Sequence, residues 1–298
     1  MMENTAVRKK KAGKAVLKII ARFWPALPFA VLVGMFELVP LVSMIIRSFT
    51  KEYGSTFTLD NYINGIFKRP IYIASIKNTL QVSLLSAAIG MTVVFITAAL
   101  LVNSKNRLRR SYMTLLTITS NFAGMPLAFA FMSVLGTSGV FVLISKNLGF
   151  DPLATFDLYT RTGLLLTYVY FQIPLGTLLM LPAFEAIRPE WKESAVLLEA
   201  SPAYFWWKVG IPVMMPSIAG TFSMLFANAV SAYATPYMLI PGHPLMALNI
   251  AGMFVGENRP RPALGSAFSI IMLLIILGMI GLSNLVKRIY TRGASGER

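Results

Sequence analysis

Six runs of apolar residues, each long enough to cross a bilayer as a helix, constrain this chain more than any other feature. They run approximately Trp24–Ile46, Leu80–Val102, Met113–Leu135, Thr162–Phe184, Val213–Leu239 and Ala263–Val286. A hydrocarbon core about 30 Å thick needs about 20 such residues in a helix, which satisfies its own backbone hydrogen bonds where no water can. Composition agrees: 56% of the residues are hydrophobic and 13% charged, against about 45–50% and about a quarter in soluble domains. In water such a chain would expose larger apolar patches than soluble monomers carry. The expected fold class is all-α, a polytopic membrane protein of six transmembrane helices. Gly124 and Pro126 lie in the third run and predict a kink there. Pro216 and Pro236 fall in the fifth, where neighbouring helices can re-satisfy the backbone.

A net charge of +15 suggests nucleic acid as one possible partner, but the basic residues cluster beside the apolar runs, which argues against it. Their distribution instead sets orientation. Arg8, Lys9, Lys10, Lys11, Lys14, Lys18 and Arg22 precede the first run; Lys105, Arg107, Arg109 and Arg110 lie in the second connection; Arg188, Lys192 and Lys208 lie in the fourth; Lys287, Arg288, Arg292 and Arg298 follow the last. These eighteen of the 27 Lys and Arg residues share one side, so both termini are expected in the cytoplasm. The expected organisation is a basic cytoplasmic tail over 1–23, a six-span domain over 24–286 and a cytoplasmic tail over 287–298. The basic tail suits topology setting and contact with anionic lipid. The first run is too long for a signal-peptide core, and no small-residue cleavage site follows Ser48, so it is expected to remain as a span.

Chemistry is sparse. The chain has no cysteine and one histidine, His243, which removes disulfides, thiol catalysis and multi-histidine metal sites. Gly13-Lys14 lacks the upstream glycine of a phosphate loop and is followed by Ala15. No Gly-x-Ser-x-Gly elbow, His-Glu-x-x-His pair or dinucleotide fingerprint is present. His243 lies among Pro241, Gly242 and Pro244 in an external turn and reads as a plain loop residue. The chain is therefore not expected to be an enzyme or to hold a cofactor or metal, and energy for active transport would come from a partner. Glu37 is the one acidic residue in the middle of a run. An ion-coupled secondary transporter, the rival reading, would need more such groups and internal repeats. Glu37 itself fits a hydrogen bond to a neighbouring helix, a cation contact in a pore, or a link to another subunit.

The fourth connection, 185–210, is the informative one. Pro189 suits a first helical position and Glu190 favours the positive end of the helix dipole, so a helix is expected through Glu193 to Ala200. Ser201-Pro202 pairs an N-cap with a first-position proline and starts a second helix, expected to end near Gly210 ahead of Pro212. Trp191, Ala195 and Leu198 would share a face, with Glu193 and Glu199 pointing elsewhere. Such a knob is either a docking element or a linker lying among lipid headgroups, which Trp191, Trp206 and Trp207 would also suit.

This stretch resembles the EAA loop of type I ABC importer permeases, the membrane subunits of binding-protein-dependent transport systems. Glu193, Ala195, Ala200, Ser201, Pro202, Phe205, Val209, Ile211, Pro212 and Pro216 fall on that family's pattern. Ser194 stands for its second alanine, Leu198 for an acidic residue, and Glu199 for the glycine that eases the turn between the helices. Phe57–Tyr62 and Ser75–Leu80 also look like the family. The resemblance implies a MetI-like permease fold in the inner or plasma membrane of a prokaryote. It implies half of a translocation pore, completed by a second permease, identical or homologous. Two cytoplasmic ABC ATPase subunits would dock on the knob and an extracytoplasmic substrate-binding protein on the other side, with alternating access as the mechanism. Asn121–Pro126, Tyr170–Pro174 and Ala232–Tyr237 resemble the spermidine/putrescine branch, which implies a polyamine cargo; ferric iron, thiamine, phosphonate or sulfate are the alternatives. The resemblance places the pore among spans three to five, where Asn121, Gln172, Asn228, Ser231, Tyr233 and Thr235 supply polar groups. Each reads equally well as glue between helices. Asn228, Ser231 and Thr235 recur at three and four residues and are expected on one helix face.

Overall fold

The computed structural model describes residues 26–54, 56–149, 156–255 and 259–295. Its elements are α1 (Leu27–Ser48), α2 (Pro70–Val102), α3 (Asn106–Ser120), α4 (Met125–Leu135), α5 (Val140–Leu148), α6 (Arg161–Glu185), α7 (Pro189–Leu197), α8 (Pro202–Ser231), α9 (Ala234–Leu239), α10 (Met246–Val255) and α11 (Pro262–Ser295). An isolated bridge between Thr50 and Phe57 is the extended pairing found among the described residues. Six helical stretches are long and apolar enough to cross a membrane: Leu27–Ser48, Pro70–Val102, Met125–Leu148, Arg161–Glu185, Pro202–Ser231 and Pro262–Tyr290.

The bundle is built on α2, α6, α8 and α11, which pack on one another along their lengths. Ala87, Val94, Ala98, Met180, Phe184, Met214, Leu225 and Phe226 fill its centre. Small residues let the helices approach, as is usual where lipid leaves close packing as the main attraction. A Cβ on Gly176 would lie 2.5 Å from Val94 Cγ2, and one on Gly90 would lie 2.6 Å from Gln172 Oε1.

Three expectations about the spans need correction. Helix α2 begins at Pro70 rather than Leu80, because Arg69 is extended and Pro70 can open a helix. The third run is not one kinked helix but two. Near one end of the bundle, Leu116 of α3 packs with Leu101 and Leu181. Leu127 and Ala128 of α4 pack with Val82, Leu164 and Tyr168 towards the other end. The run is therefore interrupted between α3 and α4, and the stretch long and apolar enough to cross a membrane is Met125–Leu148, α4 with α5. The fifth run is also broken: α8 extends back to Pro202 and stops at Ser231, and α9 is separate.

Prolines account for a recurring irregularity. The π-helical turns Gly34–Leu38 and Trp206–Gly210 each lie just ahead of a proline, Pro40 or Pro212, in a helix that continues through it. Proline has no N–H for the carbonyl four residues back. A local i+5 bond, such as Ile211 N–H to Trp206 O or Val39 N–H to Gly34 O, absorbs the mismatch without breaking the helix.

Candidate functional site: a helical knob and two broken spans

The connection between α6 and α8 folds into a knob. Arg188 is extended, Pro189 opens α7, and the Ser194 hydroxyl donates to Glu190 O at 2.8 Å. Helix α7 ends at Leu197, sooner than its sequence suggests. Glu199 N–H donates to Val196 O and Ala200 N–H to Ala195 O, both at 2.9 Å. That pair of bonds is a Schellman closure, and it holds Glu199 at φ 53, the one positive φ outside glycine among the described residues. Glu199 thus occupies the left-handed position that glycine normally takes. It also carries Leu198 off the α7 face: Ala195 packs against the core, whereas Leu198 is 81% exposed, so the shared face with Trp191 and Ala195 does not form.

Ser201 Oγ accepts from Tyr204 N–H at 3.3 Å, the cap its sequence predicts. The second helix does not end near Gly210. It runs through the Trp206–Gly210 π turn into the membrane span, which leaves Ile211 and Pro212 inside α8. Gly210 is required there, because a Cβ would sit 2.4 Å from the Trp206 ring. Phe205 is buried, and Trp206 packs on Phe184 (centroids 5.9 Å apart) and Phe95 (6.3 Å). Lys192 Nζ lies 5.6 Å above the Trp206 ring, a cation–π contact. An Arg109–Glu185 ion pair ties the start of α3 to the end of α6. The base of the knob is therefore fused to α2, α6 and α8. Its tip is bare: Val196, Leu197 and Leu198 are 71%, 85% and 81% exposed, beside exposed Glu193.

The two breaks in the spans meet. At the first, Asn121, Phe122 and Ala123 are exposed, and Gly124 turns the chain at φ 72. At the second, α8 ends at Ser231, and Ala232 leaves the helix with ψ 121. The Thr235 hydroxyl donates to Gly124 O at 3.3 Å and joins them. Thr235 is buried in this contact, and the chain break separates it from the face of Asn228 and Ser231, contrary to the periodicity. Tyr233 and Tyr237 stack with ring centroids 5.3 Å apart, both exposed. Gln172 lies elsewhere, wholly buried between α2 and α6. Its Nε2 donates to Ser86 Oγ at 3.1 Å, while its Oε1 has no partner. Non-helical backbone and exposed amides at membrane depth are tolerated where they line water or protein, not lipid.

A further polar set holds the other end of the bundle. Asn78 Nδ2 donates to Pro244 O at 3.0 Å, Met246 N–H donates to Thr79 Oγ1 at 2.9 Å, and Asn249 donates to Ser75. The Glu52 carboxylate accepts from Ala263 and Leu264 N–H at the start of α11. Polar residues at 75, 78 and 79 on one helical face were visible in the sequence as the signal for this contact; their partner α10 was not foreseen.

Residues 90–292 match the family described as binding-protein-dependent transport system inner membrane component. The chain belongs to this family. This ABC importer permease is a multi-pass membrane protein of a transport family rather than a catalytic one. It is 25% identical over 167 residues to the thiamine transport system permease protein ThiP of Escherichia coli (strain K12), covering 56% of this chain and 31% of that protein. It is 25% identical over 183 residues to a probable sulfate transport system permease protein of Helicosporidium sp. subsp. Simulium jonesii, covering 60% of this chain and 64% of the relative. The permease therefore spans less than two thirds of either relative. With the sulfoquinovosyl glycerol transport system permease protein SmoG of Agrobacterium fabrum (strain C58) it shares 22% identity, covering 89% and 87% of the two chains. Its fold matches a chain in the crystal structure of a bacterial ABC transporter involved in the import of the acidic polysaccharide alginate (TM-score 0.70, 18% identity, 91% and 99% covered). It also matches one in a bacterial alginate ABC transporter in complex with an alginate pentasaccharide-bound periplasmic protein (TM-score 0.73, 19% identity, 92% and 98% covered).

Proposed function

We propose that this permease forms half of a translocation pore and transmits the motion of cytoplasmic ABC ATPases through the α7 knob, with both termini and the knob on the cytoplasmic side. The observation that carries this reading is the bare apolar tip Val196–Leu198 on a base locked into three spans by Phe205 and Trp206. A rigid lever with an uncovered apolar end suits insertion into a cleft of a moving partner. Headgroup contact alone would not need the lever to be continuous with a span. A second permease completes the pore, and an extracytoplasmic binding protein delivers cargo to the opposite face; dependence on a binding protein is the part that the family description supports.

The path proposed runs past the two breaks, where Asn121, Asn228, Ser231 and Tyr233 offer amide and hydroxyl groups. A conduit of that kind releases cargo readily, and affinity resides in the external binding protein. We take the cargo to be a small polar solute. The three relatives named above concern thiamine, sulfate and sulfoquinovosyl glycerol, so a polyamine keeps no special standing beside thiamine, sulfate, phosphonate or ferric iron. The test is to coexpress the permease with a candidate cognate ABC ATPase from the same genome. Leu197→Asp and Glu193→Lys should each abolish ATPase co-purification and uptake while leaving membrane insertion intact. Normal uptake by both would end the coupling reading. Asn121→Trp and Asn228→Trp should block uptake yet keep ATPase activity; unchanged uptake would remove these residues from the path.

A further inference from the structure

The face that α2 turns towards α6 and α10 carries a stripe of hydroxyls. Ser75, Thr79, Ser83 and Ser86 recur at four, four and three residues, which places them on one side of the helix. All four are buried. Three of them meet a donor from another helix: Asn249 donates to Ser75, Met246 N–H to Thr79 Oγ1 at 2.9 Å, and Gln172 Nε2 to Ser86 Oγ at 3.1 Å. Ser83 is the gap in the stripe. It is 1% exposed, and its hydroxyl has no hydrogen-bond partner in the chain. Desolvating a hydroxyl without a partner is unfavourable, and folded proteins leave few such groups without a reason.

Ser83 borders a small cavity between α2, α6 and the end of α8. Its volume is about 10 Å³ to a water-sized sphere, close to the least that holds one water. Thr79, Tyr168, Ala229, Val230 and Ala232 also line it. Tyr168 is 3% exposed and packs its ring on Phe171, but its hydroxyl makes no hydrogen bond among the described residues. On the opposite wall α8 stops, and Ala232 leaves the helix with ψ 121. The last carbonyls of a helix have no partner within it. Those of buried Ala229 and Val230 accept no N–H from beyond α8 either. Hydroxyl protons without acceptors thus face carbonyls without donors across a space the size of one small molecule.

We infer that one water binds in this cavity, accepting from the Ser83 and Tyr168 hydroxyls and donating to the carbonyl end of α8. It is a strut that holds the broken end of α8 against α2 and α6. Only a molecule that both accepts and donates satisfies both walls. A cation would coordinate the oxygens but leave the two hydroxyl protons without acceptors, and no carboxylate lines the cavity to offset its charge. Asn228 and Ser231 lie on the last turn of α8, so the strut fixes where their side chains stand at the break. It does so whether or not cargo passes there.

Two measurements on the full chain in lipid test this. A density map sharp enough to show ordered water should show one peak about 2.5–3.0 Å from both Ser83 Oγ and Tyr168 Oη. No peak, or the two hydroxyls bonded directly to each other, overturns the strut. The second measurement is a thermal unfolding cycle of Ser83→Ala, Tyr168→Phe and the double variant in nanodiscs. Tyr168→Phe should lower the midpoint by about 2–4 °C; a higher or unchanged midpoint would mean that the hydroxyl has no partner to lose. Ser83→Ala should be more unfavourable by about 2 °C alone than when added to Tyr168→Phe, because both hydroxyls serve one water. The helix preference of alanine cancels in that difference. Additive effects overturn the shared water, and if either variant fails to fold, the density of the unmodified chain decides. Exchanging sodium for choline at constant ionic strength should leave the midpoint of the unmodified chain in place; a shift would overturn the water in favour of a cation.

Discussion

Replacing Glu199 with glycine tests the knob's internal geometry directly. Glu199 sits at φ 53 in the closure that joins α7 to α8, a conformation that costs an L-residue about 1–2 kcal/mol because Cβ crowds the following carbonyl. Glycine removes that crowding but gives back about 0.4–1 kcal/mol through its freer unfolded chain. The net gain for Glu199→Gly is therefore about 1 kcal/mol, or about fivefold in the ratio of closed to open turn. The Ala200 N–H bond to Ala195 O spans the turn and reports its closure. Hydrogen exchange across 195–205 in detergent or nanodiscs should slow about fivefold in Glu199→Gly. Glu199→Ala, which keeps the Cβ and removes the carboxylate, should change it less than twofold. Glu199→Val should speed exchange, since a branched side chain fits the left-handed region worse. If glycine leaves exchange unchanged or faster, the turn is not strained at Glu199, and the carboxylate has a positive role that the backbone geometry does not reveal.

Other outcomes follow from the same packing. Gly210→Ala places a Cβ 2.4 Å from the Trp206 ring and should cost about 1–3 kcal/mol as overpacking, read as a lower unfolding midpoint with altered tryptophan emission; an unchanged midpoint would show that the ring moves freely. Gln172→Met removes one donor to Ser86 but also an unpartnered buried oxygen, so stability should stay within about 1 kcal/mol and uptake should persist; lost uptake with intact protein would put this amide on the path. Cysteines at Tyr53 and Pro260 should react with an impermeant thiol reagent in intact cells or protoplasts, and cysteines at Ser104 and Ser201 only after lysis. The reverse pattern would invert the topology.

The sequence by itself determined the membrane fold class, the six crossings and the helical knob, because these depend on local quantities: apolar length, proline position and the Ser201 cap. The EAA resemblance added the family. Local pattern also marked Glu199 as a departure, though not that its backbone would still take the left-handed turn meant for glycine. Tertiary structure decided the rest. Whether Pro212 ends a helix or is absorbed by a π turn depends on the Trp206 ring packing against Phe184 and on Gly210 leaving room for it. Whether Thr235 continues the face of Asn228 depends on a bond to Gly124, 111 residues away in sequence. Gln172 looked like its fellow candidates until α2 closed over it. Helical periodicity places a polar residue on a face, but which neighbour covers that face is a long-range property, and it alone separates a side chain held as glue from one exposed at a break in a span.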